Sequence, residues 1–231
     1  MAAASLSEQH QCIVCDTFSA EFFKTVNDSD YRRCGHCQAT FMIPEQRLSQ
    51  EEEHERYRQH QNDPVDKSYR RFLAKIADPL LQRLPLHSKG LDYGCGPGPA
   101  LACMLREAGH RVLQFDPLFF PELEPLDEQY DFITCTETIE HFHRPADEFA
   151  RFDRMLLPGG WLGLMTCFQT DDNRFESWHY RRDPTHVVFY REETLRFIAR
   201  RTGWSCDIPV KDVALMQKPL FNPEIVTVHR E

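Results

Sequence analysis

Tyr69, Phe72, Leu73, Ile76, Leu80 and Leu84 recur every three or four positions, which predicts an amphipathic helix from Lys67, interrupted or restarted at Pro79. Downstream the pattern becomes an alternation of short apolar strands and helices. Residues 90–93 read as a strand running into a glycine-rich turn, and 99–108 as a helix with proline in its first turn and Gly109 just past its end. A strand at 111–115 ends at Asp116, and another follows at 131–136. A helix over 145–156, a Pro158-Gly159-Gly160 turn and a buried strand at 161–167 come next. A helix at 192–202 and strands near 205–210 and 213–217 finish the pattern. Such alternation predicts an α/β fold, a doubly wound parallel or mixed sheet covered on both faces.

The chain before this unit differs. Residues 1–48 read as a loop-rich segment whose few apolar side chains (Phe18, Phe22, Phe23, Val26, Tyr31, Phe41) cannot build a self-sufficient core. Residues 49–66 are strongly polar and read as a solvated helix or linker, ending at Asp63-Pro64. The expected division is a small N-terminal segment (1–48), a helical linker and lid (49–87) and an α/β domain (88–231).

Composition narrows the class. The 231 residues are 41% hydrophobic and 27% charged, which excludes a wholly disordered or collagen-like chain. No apolar run approaches the ~20 residues of a membrane span. The first residues lack the basic region and apolar core of a secretory signal, so a cytosolic protein is the expectation. Twenty-seven Lys and Arg against 36 Asp and Glu give a net charge of −9, unfavourable to phosphate backbones as a whole. Residues 67–89 and 174–231 are nevertheless net basic, while 90–173 are strongly acidic.

Nine cysteines in a cytosolic chain point to metal ligands and buried thiols rather than disulfides. Cys12-Ile-Val-Cys15 and Cys34-Gly-His-Cys37 are two C-x-x-C knuckles, the spacing of a four-cysteine zinc site. A redox pair or two accidental pairs are the competing accounts, but a thioredoxin-like context is absent. His36 can replace one thiol, although four cysteines suffice. Zinc would supply the folding free energy this segment lacks, and four protein ligands leave no open position for catalysis.

The turn after the first strand reads Leu91-Asp-Tyr-Gly-Cys-Gly-Pro-Gly-Pro-Ala100, with glycines at 94, 96 and 98. Glycine there allows a sharp turn and close approach to a ligand. Asp116, at the end of the next strand, stands where a carboxylate accepts ribose hydroxyls. Turn, flanking elements and acid together predict a nucleoside-containing cofactor. The G-x-G-x-G spacing departs from the dinucleotide G-x-G-x-x-G/A fingerprint and disfavours a dehydrogenase.

Four motifs in order resemble those of class I S-adenosylmethionine-dependent methyltransferases. They are L91-D-Y-G-C-G-P-G, the strand-end Asp116, Y130-D-F-I-T-C-T-E-T-I-E-H141 and the Pro158-Gly159-Gly160 turn, spanning about 88–217. The resemblance implies a Rossmann-like fold and S-adenosylmethionine as cofactor. It implies that Gly94, Cys95, Gly96 and Gly98 line the methionine and ribose part and that Asp92 lies near the amino group. It further implies that Asp116 holds the ribose and that Thr136 and Glu137 border the methionine moiety. Between Asp116 and Asp131 the chain is too short for a full helix and third strand. A trimmed third unit is expected, with Leu118 or Phe119 against the base. The cysteine-rich segment resembles in outline the zinc ribbons ahead of some sugar and RNA methyltransferases.

Residues 174–190, rich in Trp, His, Tyr and Arg, follow the fifth strand and are expected to shape an acceptor pocket. Imidazole suits removal of a proton as methyl arrives. His186 is the first candidate, then His179 and His141, against the equal alternative that these histidines are structural. A second metal on His179 and His186 wants a convergent third ligand that the sequence does not display. Residues 56–63 can fold over the cofactor as a lid, with a solvated helix the preferred account. Three functions compete: methyl transfer to a small molecule, methyl transfer to RNA with the zinc ribbon docking substrate, and a non-catalytic zinc-ribbon module. Charge and the compact aromatic loop favour the first, and no membrane partner is expected.

Overall fold

The computed structural model describes residues 10–58 and 62–221. The first nine residues, read above for a leader, lie outside the described residues, as does part of the 56–63 segment. Two sheets organise the chain. The larger has six strands: β5 (Lys89–Tyr93), β6 (Arg111–Phe115), β7 (Tyr130–Thr136), β8 (Leu156–Met165), β10 (Ser205–Val210) and β11 (Val213–Gln217). Their order is β10-β11-β8-β7-β5-β6, with β6, β5, β7 and β8 parallel and β11 antiparallel to both its neighbours, β8 and β10. Its central strands are buried along most of their length, as expected of strands covered on both faces.

Helices supply that cover. On one face α2 (Lys67–Leu81) and α3 (Ala100–Glu107) pack Leu73, Ile76, Leu80, Leu101 and Leu105 against Phe132 and Leu215. On the other, α4 (Pro145–Met155) and α5 (Glu192–Thr202) pack Phe149, Phe152, Leu195 and Ile198 against Ile133, Leu162 and Ala214. α2 runs through Pro79, which sits in its final turn. Pro158-Gly159-Gly160 lies inside β8, where the pairing register with β7 shifts, so these residues form a bulge in a strand rather than a turn ahead of one. Between β6 and β7 the chain makes an isolated bridge (Asp116 with Phe120) and a 3₁₀ turn (Glu124–Asp127), the trimmed third unit expected from the short spacing.

The N-terminal segment departs most from expectation. Rather than a loop-rich tail it is a meander of β1 (His10–Gln11), β2 (Phe18–Val26), β3 (Ser29–Cys34) and β4 (Thr40–Met42). Asn27 and Asp28, both with positive φ, make the two-residue turn between β2 and β3. The sheet is completed by β9 (Val188–Phe189), which pairs Thr40 with Phe189 and Phe41 with Val188. All four knuckle cysteines share one apolar core with Leu91, Ile133, Phe152 and Tyr190. The meander is therefore built onto the α/β unit and shares its core. α1 (Gln50–Tyr57) begins with a capping box at Ser49 and Glu52 and leads back across the carboxyl ends of the parallel strands.

Candidate active site

A cavity of about 750 Å³ opens at the carboxyl ends of β5, β6 and β7. Gly94 (φ +71°) and Gly96 (φ +64°) both adopt the left-handed conformation, which bends the chain sharply after β5. A Cβ at Gly94 would lie 2.3 Å from Cγ2 of Thr138, so only glycine lets the turn close onto the end of β7. Thr138 holds that contact from its own side, donating its hydroxyl to the Gly94 carbonyl at 3.1 Å. The turn is anchored to β6 as well: the Gly94 N–H donates to the Phe115 carbonyl at 2.8 Å.

Asp116 stands on the cavity wall. One carboxylate oxygen accepts from the Gly96 N–H at 3.0 Å, and the other from the N–H groups of Leu118 (2.9 Å) and Phe119 (3.1 Å). Three backbone donors fix the carboxylate while leaving acceptor capacity toward the cavity. Cys95, Leu118, Phe119, Thr136 and Glu137 share this wall.

Two of the expected cofactor residues stand elsewhere. Asp92 is 2% exposed and does not line the cavity. Its carboxylate accepts from the Thr134 hydroxyl at 2.9 Å and from the Ala102 N–H, tying β5 to β7 and α3. Burial pushes its pKa up to about 6. Its side chain thus braces the strand from which the glycine turn springs rather than standing on the cavity wall. Gly98 also lies off the wall, and a Cβ there would lie 1.7 Å from the carbonyl oxygen of Asn62. The close approach it permits is to the chain leading into α2.

On the acceptor side, two carboxylates and two imidazoles gather. Glu140 is fully buried; its carboxylate accepts from the hydroxyls of Thr166 (3.0 Å) and Tyr180. The Tyr180 hydroxyl also stands 3.3 Å from the Glu137 carboxylate. The confined position of Glu137, though open to the cavity, and the neighbouring Glu140 push its pKa up to about 8. His186, 8% exposed, directs Nδ1 to the Tyr180 carbonyl at 2.7 Å, and His141 directs Nδ1 to the Thr185 carbonyl at 3.0 Å. The two rings meet edge to face, 4.7 Å between centroids. Burial lowers the pKa of His186 below that of an ordinary imidazole. Both histidines line the cavity, whereas His179 is exposed and does not, and it leaves the list of candidate bases.

α1 and the chain beyond it form the roof of the cavity, through Gln50, Glu53, His54, Tyr57 and Asn62. Glu53 is buried and pairs with His143 at 2.8 Å, and the Tyr57 ring meets His141 edge to face. The polar run that reads as solvated thus presents one face to the cavity. A buried face on so polar a helix has no hydrophobic signature in the sequence, although the Glu137-x-x-Glu140-His141 spacing does signal the acceptor cluster.

The four knuckle cysteines are fully buried or nearly so, with Cys12–Cys37 and Cys15–Cys34 sulfur separations of 3.6 Å. All four sulfurs lie within 4.8 Å of one another. A tetrahedral Zn–S distance near 2.3 Å requires sulfurs about 3.8 Å apart, so the set is compatible with zinc. The Val14 and Cys37 N–H groups and the Ser19 hydroxyl approach these sulfurs at 3.1–3.4 Å, the hydrogen bonding that thiolate ligands receive.

A parallel-rich sheet with a glycine turn, a strand-end carboxylate and a cavity between them is the class I methyltransferase fold. The chain belongs to the methyltransferase-domain family, whose sequence profile matches residues 57–207. A ubiquinone biosynthesis O-methyltransferase of Hydrogenovibrio crunogenus is 28% identical over 136 residues, 48% of this chain and 52% of that protein. The chain thus spans about half the length of this curated relative. Among solved structures, a 1,6-didemethyltoxoflavin-N1-methyltransferase of Burkholderia thailandensis, with bound S-adenosylhomocysteine, superposes with a TM-score of 0.50 at 17% identity. That match covers 79% of this chain and 96% of the other. A methyltransferase of Aquifex aeolicus gives 0.43 at 16% identity over 68% and 98%. Among the described residues no helix is long and apolar enough to cross a membrane.

Proposed function

We propose that the protein transfers the methyl group of S-adenosylmethionine to a hydroxyl of a small, partly aromatic acceptor. The observation that carries this reading is the Glu137–Glu140–His141–His186 cluster, which faces the same cavity as Asp116 and the Gly94–Gly96 turn. The acidic wall suits a cationic cofactor, and Asp116 and the turn hold its ribose and methionine parts. When bound, S-adenosylmethionine supplies an electrophilic methyl on a sulfonium.

The chain's residues then have two tasks. They position the acceptor in line with that methyl, with Tyr57 and Phe142 as aromatic walls, and they take charge of the acceptor's proton. A hydroxyl must lose its proton as the C–O bond forms, and imidazoles beside carboxylates suit that step. His186 and His141 are the candidates for it. The relative from Hydrogenovibrio crunogenus, itself an O-methyltransferase, supports the choice of oxygen. Structural zinc on Cys12, Cys15, Cys34 and Cys37 belongs to the same proposal.

Basic residues of the net-basic segments, and Arg33 beside the second knuckle, which would otherwise be available to an RNA phosphate backbone, pair within the protein. Arg70 pairs with Glu107, Arg83 with Asp207 and Lys89 with Glu128. Arg33 and Arg191 pair with Asp172, and Arg201 donates to the Cys15 carbonyl. The test is incubation with methyl-labelled cofactor and cell extract separated into small molecules, RNA and protein. Label is expected in a small-molecule ether; label in RNA alone, or only on nitrogen, would overturn the proposal.

A further inference from the structure

We propose that Glu140, His141 and His186 form a second metal site, which holds a divalent first-row transition ion at the acceptor end of the cavity. One carboxylate oxygen and one nitrogen from each imidazole lie within 4.8 Å of one another, close enough for sub-ångström side-chain shifts to bring all three onto one ion. The Nε2 atom of His141 lies 4.0 Å from a Glu140 oxygen. His179, the partner considered for His186 from the sequence, lies elsewhere; the residues that converge on His186 come from the end of β7.

The surroundings prepare these groups as ligands. A carbonyl oxygen can only accept, so the bonds from Tyr180 and Thr185 require a proton on Nδ1 of each ring. With Nδ1 engaged by a carbonyl, each ring has Nε2 as its ligand atom, the arrangement that orients metal-binding histidines. The hydroxyls of Thr166 and Tyr180 fix the Glu140 carboxylate in the same way. Backbone bonds hold the frame: the Val187 N–H donates to the Glu140 carbonyl, and the Met42 N–H to that of Val187, both at 2.9 Å. Two imidazoles and one carboxylate, with further positions open to the cavity, favour manganese, iron, cobalt or zinc over calcium or magnesium.

This inference rests on the hydroxyl-acceptor reading and changes the imidazoles' part in it. With Nε2 on the ion, they no longer accept the proton themselves. The ion binds the acceptor oxygen, and preferably an adjacent second oxygen, and lowers the hydroxyl's pKa. The O–H bond breaks with its proton passing to cavity water. The oxygen pair forms the O–CH₃ bond as the S–CH₃ bond breaks, leaving a neutral thioether. The favoured acceptor class is a vicinal diol or catechol.

The test is Mn²⁺ titration of the full chain followed by electron paramagnetic resonance. Four thiolates disfavour manganese, so this probe reports the nitrogen–oxygen site separately from the knuckles. One bound Mn²⁺ per chain is expected, with affinity at least tenfold weaker in Glu140→Gln, His186→Gln and His141→Gln and unchanged in His179→Gln. Zinc content, melting temperature and S-adenosylmethionine calorimetry identify variants that have misfolded, and His141, the more exposed ring, provides the milder substitution. Absence of Mn²⁺ binding in the wild type, or equal binding in a folded His141→Gln variant, would overturn the proposal. If Mn²⁺ binds as expected but only RNA or nitrogen is methylated, the acceptor reading fails and the metal site stands.

Discussion

The Gly96 N–H donates to the Asp116 carboxylate at 3.0 Å, fastening the turn after β5 to the end of β6. Because Leu118 and Phe119 donate to the same carboxylate, Asp116 organises both the floor of the cavity and the loop that closes one side of it. Asp116→Ala leaves three backbone donors without this acceptor. Hydrogen bonds to charged groups are worth about 1.5–3 kcal/mol, so cofactor affinity should fall roughly 10- to 100-fold. Calorimetry with S-adenosylmethionine measures it, and zinc content should stay unchanged.

Gly98→Ala tests the roof. The added methyl would meet the Asn62 carbonyl, displacing the chain that joins α1 to α2. The expected result is a KM for cofactor raised several-fold with a smaller change in kcat, because the acceptor cluster lies on other elements. Steady-state kinetics at saturating acceptor resolve the two constants.

The knuckle cysteines should govern the acceptor side at a distance. β4 pairs with β9, which directly follows His186, so loosening the meander removes support from that imidazole. On the proposed zinc site, Cys34→Ser is expected to abolish zinc binding and to lower the melting temperature by about 5–10 °C, since binding free energy at such a site is folding free energy. Elemental analysis and thermal unfolding provide the readouts.

Asp92 makes a specific contribution to pH dependence. Burial raises its pKa from 3.8 in the unfolded chain to about 6 in the folded one, so the folded state holds a proton that the unfolded state releases in between. The stability this provides is complete below about pH 4 and is lost as pH rises through 6, a change of up to about 3 kcal/mol. Asp92→Asn should flatten that part of the stability–pH curve, measured by denaturant unfolding between pH 4 and 7.

The strands and helices of the α/β unit were legible because hydrophobic period and turn chemistry agreed there, as at Pro99–Gly109 and at the Gly94 turn. The meander was not, because its period-2 signal in Phe18–Val26 is diluted by exposed Phe18 and Phe22. The Asn27-Asp28 pair, which favours positive φ, was the available clue. Asp116, Thr136, Glu137, His141 and His186 were placed at one cavity by motif and order. Asp92 and His179 stand off that cavity's wall, because side-chain direction is set by packing rather than by position in a motif. Glu53 escaped notice because α1 is so polar that tertiary contacts alone choose which face it buries, whereas Tyr57 fell within the 56–63 segment read as a possible cover of the cofactor.

The most direct measurement is a crystal structure with S-adenosylhomocysteine. The account predicts the ribose on Asp116, the thioether above the Gly94–Gly96 turn and its sulfur directed toward Glu140, His141 and His186. Binding of the nucleoside outside this cavity, or with its sulfur turned away from that cluster, would contradict it.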